Sequence, residues 1–267
     1  MSVEIKSVKE IEAMRAVCRM TADTLVLVGE KLRPGMTTEE INTIVHEDTL
    51  KRGAFPAPLN YRGFPKSVCT SINDVVCHGI PSREDVLRDG DIVNVDVTHI
   101  YKGFHGDTSA TFYIGTPSTE ARLVVETARK ALELGIAEVK EGARLGDIGA
   151  AIQEYVEGVG CSVVRDFVGH GIGRKFHDAP QVKHFGKRGQ GERLKAGMIF
   201  TIEPMVNIGK WEVVVDPVDN WTVRTIDGAL SAQFEHTVLV TKGGVEVLTR
   251  REKPLQRSEN VASVFAM

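Results

Sequence analysis

No run of about 18 apolar residues occurs in the chain, so a membrane-spanning helix is not expected. No strong charge of either sign is present. With 33 basic and 36 acidic side chains the formal net charge is −3, which leaves out the basic surplus that nucleic acid or an anionic membrane would require. Cysteine is scarce: Cys18, Cys69, Cys77 and Cys161 are the only four, and no pair has the spacing Cys-x-x-Cys. In 267 residues this excludes a disulfide scaffold, and four reduced thiols are expected. The N-terminal stretch Met-Ser-Val-Glu-Ile-Lys lacks the apolar core of a secretory signal, so a cytoplasmic protein is expected, with no DNA and no membrane partner. Gly169-His170-Gly171-Ile172-Gly173 lacks the Gly-x-Gly-x-x-Gly spacing of a dinucleotide loop. What remains is an ordinary globular composition, 42% hydrophobic and 26% charged, with enough length for a sizeable core.

A duplication organises this chain. Leu87 to Val97 reads Leu-Arg-Asp-Gly-Asp-Ile-Val-Asn-Val-Asp-Val, and Leu194 to Pro204 reads Leu-Lys-Ala-Gly-Met-Ile-Phe-Thr-Ile-Glu-Pro. Each looks like a turn followed by a strand, and Asp96 in the first copy becomes Glu203 in the second. The same shift of 107 residues aligns Leu25 with Leu132, Gly35 with Gly142, Ile41 with Ile148 and Gly53 with Gly160. One catalytic domain spanning residues 1–267 is expected, with related halves at about 7–115 and 116–249 and a surface tail at 250–267.

Capping boxes at Ser7 with Glu10 and at Thr37 with Glu40 predict two helices. The second should turn Ile41, Ile44, Val45 and Leu50 inward. Residues 54–82 read as irregular. A hairpin about Tyr101-Lys102-Gly103 would set Asp96 and Asp107 nearly opposite each other. A third helix opens at Pro117-Ser118, with Leu123, Ala128, Leu132 and Ile136 on one side, and a fourth follows Gly142. A basic glycine-rich loop runs from Pro180 to Lys195, and Ser231–Thr241 reads as the last strand.

Asp96, Asp107, His170, Glu203 and Glu235 are the candidate metal ligands. Any one alone would be an ordinary salt-bridge partner or core histidine. Together, four acids on strands with an apolar opposite face would repel one another unless cations sat between them. Four carboxylates and one imidazole exceed the needs of a single tetrahedral zinc and suit two divalent ions. Oxygen-rich ligation with one nitrogen points to Mn, Fe or Co, with Zn also accommodated.

Several further motifs carry a family resemblance. Tyr61 to Asn73 reads Tyr-Arg-Gly-Phe-Pro-Lys-Ser-Val-Cys-Thr-Ser-Ile-Asn, and Val76 to Pro81 reads Val-Cys-His-Gly-Ile-Pro. Gly-His-Gly-Ile-Gly is followed by Phe176-His177; Ile202-Glu203-Pro204 and Ser-Ala-Gln-Phe-Glu-His-Thr at Ser231 to Thr237 complete the set. With these, essentially the whole chain resembles the bacterial type I methionine aminopeptidases. The resemblance implies an α+β, duplicated pita-bread fold, shared with prolidases and creatinase, in which pseudo-twofold halves carry a curved antiparallel sheet covered by helices. It implies removal of the N-terminal initiator methionine before a small second residue, by a water activated at a dinuclear metal centre.

The resemblance also distributes roles. Asp107 and Glu235 would bridge the metals, and Glu203 would double as general base. His78 and His177 would be catalytic and contact the substrate, His177 stabilising the tetrahedral intermediate. Tyr61, Phe64, Cys69, Phe176 and Trp221 would form the methionine pocket. Phe64 stands where relatives often carry Tyr, and Pro58 and Arg62 where Cys and His are frequent. Asn73, Val75 and Ser231 match a monovalent-cation site for Na or K. Peptide N-termini, with transient contact to the ribosome and nascent chains, are the implied partners of a monomer. The rivals are a prolidase-like Xaa-Pro peptidase, which usually carries a large N-terminal domain, and a non-enzymatic pita-bread binding protein, which typically loses ligands.

Overall fold

A computed structural model of the chain describes residues 3–253 and 255. Both predicted capping boxes are formed. Ser7 caps α1 (Val8–Lys31) and Thr37 caps α2 (Thr38–Lys51), each accepting from the backbone N–H of a glutamate that reaches back to the cap. Met14, Cys18, Leu25 and Val28 form the buried stripe of α1. On α2, Ile41 and Val45 are buried, but Leu50 at the C-terminal end is 46% exposed, against expectation. The buried stripe continues from Ile41 and Val45 to Thr49, which bonds His99 Nε2 at 2.9 Å, and Leu50, five residues past Val45, falls outside it.

Residues 54–82 are not wholly irregular. They hold β1 (Phe55–Pro56), a tight turn at Tyr61–Gly63, β2 (Cys69–Ile72) and β3 (Val75–Cys77). These strands are too short to leave a period-2 signature. The hairpin β4 (Ile92–Tyr101) and β5 (Phe104–Tyr113) follows. Its register pairs Asp96 with Ser109 and Thr98 with Asp107, so the two acids are diagonal neighbours on one face rather than directly opposite. The turn consists of Lys102 and Gly103 alone, both at positive φ, and that shortness shifts the pairing.

Helices α3 (Thr119–Ala137) and α4 (Leu145–Gly158) begin the second half. Ala128 and Leu132 face inward as expected, whereas Leu123 is 44% exposed, and Val124 and Val125 take the buried positions. Then come β6 (Ser162–Val163), β7 (Gly169–Gly171), β8 (Asp178–Val182), β9 (Ile199–Ile202), β10 (Met205–Asn207), β11 (Val213–Val215), β12 (Val223–Thr225), β13 (Ser231–Gln233), β14 (His236–Thr241) and β15 (Gly244–Val247). The expected strand Ser231–Thr241 is thus broken at Phe234–Glu235, and β15, not anticipated, extends the sheet beyond it. Every strand pairing is antiparallel.

The duplication persists at the level of single bonds. Thr37 bridges Val86, and 107 residues on Arg144 bridges Arg193. Gly35 N–H donates to Leu87 O, and Gly142 N–H to Leu194 O. The sheets of the two halves meet along β5, β13 and β14. Glu235 N–H donates to Ser109 O, Thr108 Oγ1 to Glu235 O at 2.7 Å, and Thr237 Oγ1 to Asp107 O at 2.8 Å. One apolar core runs beneath both, from Leu25, Ile41 and Phe112 to Ile148, Phe200 and Val238. Of the expected surface tail, residues 254 and 256–267 lie outside the described residues; Arg250, Glu252 and Lys253 are exposed, while Arg251 and Leu255 are half-buried. Arg251 turns inward, and Leu255 lies so close to α1 that a Cβ on Gly29 would meet its carbonyl oxygen at 2.0 Å.

Gly106 ties this packing to the acids. It precedes Asp107 where α1 crosses β5, and a Cβ there would come within 2.8 Å of Cys18 N and 2.9 Å of Val17 C. Backbone cannot yield as a side chain does, so Gly106→Ala should cost about 1–3 kcal/mol and lower the thermal midpoint in calorimetry. Gly158→Ala, whose Cβ meets nothing within 4 Å, should leave it unchanged or slightly raised.

Candidate metal centre and active site

All five proposed metal ligands open onto one cavity of about 300 Å³. Asp96 and Asp107 come from the middle of the β4–β5 hairpin, and His170 from β7. Glu203 and Glu235 sit just outside strands, in the breaks between β9 and β10 and between β13 and β14. A break frees a side chain from the alternation of the strand, so these two acids reach the cavity without displacing the apolar residues beside them.

Ligating atoms of Asp107, His170 and Glu235 lie within 4.8 Å of one another. His170 Nε2 is 3.8 Å from Asp107 Oδ2 and 3.6 Å from Glu203 Oε1. His170 Nδ1 lies 3.2 Å from Gly171 O, which fixes the proton on Nδ1 and turns the Nε2 lone pair toward the carboxylates. A lone pair aimed at carboxylate oxygens is repulsive unless a cation lies between them. Buried Asp96 Oδ1 has no hydrogen-bond partner. The donor set therefore fits hard or borderline divalent cations.

Titration behaviour shows the same frustration. Burial pushes Asp96 up to about 7 and Glu203 up to about 8. Asp107 and Glu235 are pushed well above the usual carboxylate range, by burial first and then by neighbouring carboxylates. Burial pushes His170 and His78 down to about 4, so both imidazoles are neutral. His177 opens to the cavity, yet the surrounding walls and then the imidazoles of His170 and His78 hold it below the ordinary histidine value.

The proposed substrate residues line the same cavity. Phe64 meets Trp221 edge-on at 5.2 Å, and Trp221 meets His78 at 5.9 Å, forming one apolar wall. Cys69 pairs with Asp96 between β2 and β4, and burial raises its thiol well above the ordinary value, so it packs as a neutral side chain. Tyr61 and Phe176 stand on the opposite side with ring centroids 5.0 Å apart. His78 adopts φ +58°, a conformation that non-glycine residues enter at a cost and that places its ring in the cavity. Asn73, Val75 and Ser231 lie apart from this cavity, joined by the Ser231 N–H bond to Asn73 O at 2.9 Å.

Several site residues leave no mark in the sequence. Thr98 donates to Asp107 Oδ1 at 2.8 Å, Thr201 to Glu203 Oε1 at 2.7 Å, and Gln233 Nε2 to Glu203 Oε2 at 3.2 Å. Buried His184 accepts the Glu203 backbone N–H on Nε2 at 3.0 Å. Arg251, with its pKa pushed down to about 10 by burial, donates to Thr108 Oγ1, Ser109 O and Glu235 O behind the acids. Only strand alternation, which puts Thr98 and Thr201 on the faces of Asp96 and Glu203, could have pointed to any of them.

Comparison with known proteins places this geometry. Residues 12–242 match metallopeptidase family M24. Methionine aminopeptidase A of Synechocystis sp. is 55% identical over 251 residues, covering 94% of this chain and 99% of the relative. The crystal structure of the methionine aminopeptidase from Rickettsia prowazekii superimposes with a TM-score of 0.92 at 48% identity, covering 93% of this chain and all of that one. An Xaa-Pro dipeptidase from Bacillus anthracis shares the fold, with a TM-score of 0.76 at 23% identity; 94% of this chain and 63% of that one are covered.

The raised carboxylates should make the stability of the metal-free protein depend on pH. Unfolded carboxylates ionise near 4 and unfolded histidines near 6.5. The buried histidines favour folding as pH rises, but their contribution is complete by about 6.5. Above that, folded Asp96 (about 7) and Glu203 (about 8) still hold protons that the unfolded chain has released, so stability falls as pH rises. The metal-free stability should therefore fall from about pH 6.5 to about pH 8, by up to about 1.4 kcal/mol per pH unit for each proton retained, and the thermal midpoint should fall with it. Added Mn(II) should raise the midpoint and flatten that slope, as calorimetry across the pH series would show.

Proposed function

The chain belongs to metallopeptidase family M24 and, within it, to the methionine aminopeptidases, and from that premise we propose how its residues carry out the removal of an N-terminal methionine. The observation that carries the reading is the convergence of four carboxylates and the Nε2 lone pair of His170 on the floor of an aromatic-walled cavity. Asp96, Asp107, His170, Glu203 and Glu235 would hold two divalent cations, with Asp107 and Glu235 shared between them. When bound, these ions supply an activated water and polarise the scissile carbonyl. Mn, Fe or Co suit the oxygen-rich donor set, and Zn is accommodated.

The protein's own residues do the remaining work. Phe64, Trp221, Cys69, Phe176 and Tyr61 enclose an unbranched apolar side chain such as that of methionine. Asp96 faces the substrate amine. Glu203, held by Thr201 and Gln233, takes the proton of the attacking water and returns it to the departing amine. His177 donates a hydrogen bond to the oxygen that becomes negative in the tetrahedral intermediate, and His78 contacts the peptide nitrogen on the leaving side. Neutral imidazoles suit both tasks, since a fixed positive charge there would compete with cations for the carboxylates.

The natural substrates are nascent chains in the cytoplasm that expose Met before a small residue, met by a monomer in transient contact with the ribosome. A Na or K site at Asn73, Val75 and Ser231 is supported by the buried Ser231 Oγ and Asn207 Oδ1, which have no hydrogen-bond partner.

With Mn(II), Fe(II) or Co(II) supplied, the protein should release Met from Met-Ala and Met-Gly peptides and leave Xaa-Pro dipeptides intact. Absence of Met release with all three metals overturns the reading. His170→Ala should lower divalent affinity in titration calorimetry by about 10- to 100-fold. His177→Ala should bind metal normally while kcat falls about 100-fold, the usual loss for one oxyanion donor.

A further inference from the structure

Tyr61 does more than wall the cavity. Its hydroxyl lies 2.9 Å from His177 Nδ1. The backbone around it is held out of the common regions, with Asn60 at φ +66°, Arg62 at φ +49° and Gly63 at φ +89°. Asn60 N–H donates to Phe64 O at 2.7 Å and Tyr61 N–H to Pro58 O at 2.9 Å, closing the turn on both sides of the tyrosine. Left-handed arginine and asparagine in one short turn are strained, and the strain serves to aim the residue between them. The ring is then held from the sides. The Arg62 guanidinium sits 5.4 Å from its centroid, and Phe176 lies 5.0 Å away. Phe176 also stacks on His177 at 4.2 Å, so both partners of the hydrogen bond rest on one phenylalanine.

The phenol can donate to the imidazole or accept from it. Two considerations decide the direction. A phenol O–H is the better donor and an imidazole nitrogen the better acceptor. The other ring nitrogen, Nε2, has no protein partner among the described residues and faces a cavity lined by carboxylates. With Nδ1 protonated, Nε2 would present a lone pair to the cavity where a developing oxyanion needs a donor. With Tyr61 donating, Nε2 carries the proton.

We propose that Tyr61 is a positioning residue that donates its hydroxyl proton to His177 Nδ1 and so fixes His177 as the Nε2–H tautomer, the form able to donate to the substrate's developing oxyanion. This rests on the reading of His177 given above. It predicts that the hydroxyl acts on the transition state and not on methionine binding, although Tyr61 belongs to the pocket wall.

Tyr61→Phe removes the hydroxyl and keeps the ring. On Met-Ala-Ser peptide with Mn(II), kcat should fall about tenfold, the worth of one net hydrogen bond, with KM within about twofold. In a His177→Ala background the same substitution should have no further effect on kcat. Independently of activity, ¹⁵N spectra of the zinc-loaded protein should show His177 with an unprotonated Nδ1, its signals assigned by their loss in His177→Ala. Tyr61→Phe should move them toward a mixture of tautomers. A protonated Nδ1 in the parent protein overturns the proposal, as does an undiminished kcat in Tyr61→Phe or an equal loss with and without His177. If the parent protein released no Met yet showed the unprotonated Nδ1, the tautomer assignment would stand and the functional reading would fall.

Discussion

Four carboxylates buried around one point repel one another, and much of this molecule is arranged to hold them there. Two unit charges 4 Å apart interact by about 4 kcal/mol at the effective dielectric of a protein site, before any cost of leaving water. Alone, the acids can only relieve this by keeping protons, which is why burial and proximity drive Asp107 and Glu235 well above the carboxylate range. Cations relieve it without protons. The site is thus poised between two neutralised states, and exchanging protons for metal is the event on which its chemistry depends.

Holding the acids in place falls to hydrogen bonds that cross between the halves. Asn94 Nδ2 and Thr111 Oγ1 both donate to Gln233 O at 2.8 Å, Thr108 donates to Glu235 O, and Thr237 to Asp107 O. Threonine suits this duty: its β-branched body belongs in a strand, and its hydroxyl can satisfy a carbonyl left over where two sheets meet. Arg251 closes the same seam from behind, bringing a fixed positive charge near Glu235 without entering the cavity. Around Glu203 the donors are neutral, Thr201 and Gln233, which steer the carboxylate without removing the basicity it needs.

Legibility in the sequence followed periodicity. The capped helices, the long β4–β5 hairpin and the 107-residue repeat were readable because each spans several turns or alternations. The four acids and the imidazole were readable because charge on an otherwise apolar strand is costly. What escaped was local or distant. Leu50 and Leu123 are exposed because each stands five residues from its neighbour on the stripe, Val45 or Ala128, and so on another face of the helix; Thr49 and Val124 hold the buried places. The break at Glu235 looks like continuous strand because Phe234 and Thr237 beside it are good strand formers. His184 and Arg251 act across long stretches of chain, and nothing near them in sequence announces a partner. The Tyr61 turn was read as a pocket wall; that its hydroxyl meets His177, 116 residues away, is visible only in the fold.

The strand registers show how far the symmetry of the site extends. In the first half Val95 pairs with Ala110, and the next step pairs Asp96 with Ser109. In the second half Ile202 pairs with His236, and the next step would set Glu203 beside Glu235. Glu235 therefore occupies the position that Ser109 holds in the first half, and the Glu235 N–H bond to Ser109 O joins these equivalent residues directly. Asp107, two residues before Ser109, has no acidic counterpart two residues before Glu235, where the second half has Gln233. One pair of acids, Asp96 and Glu203, follows from duplication; the other pair, Asp107 and Glu235, was placed separately in each half. Their side chains can meet because they approach the axis from different registers.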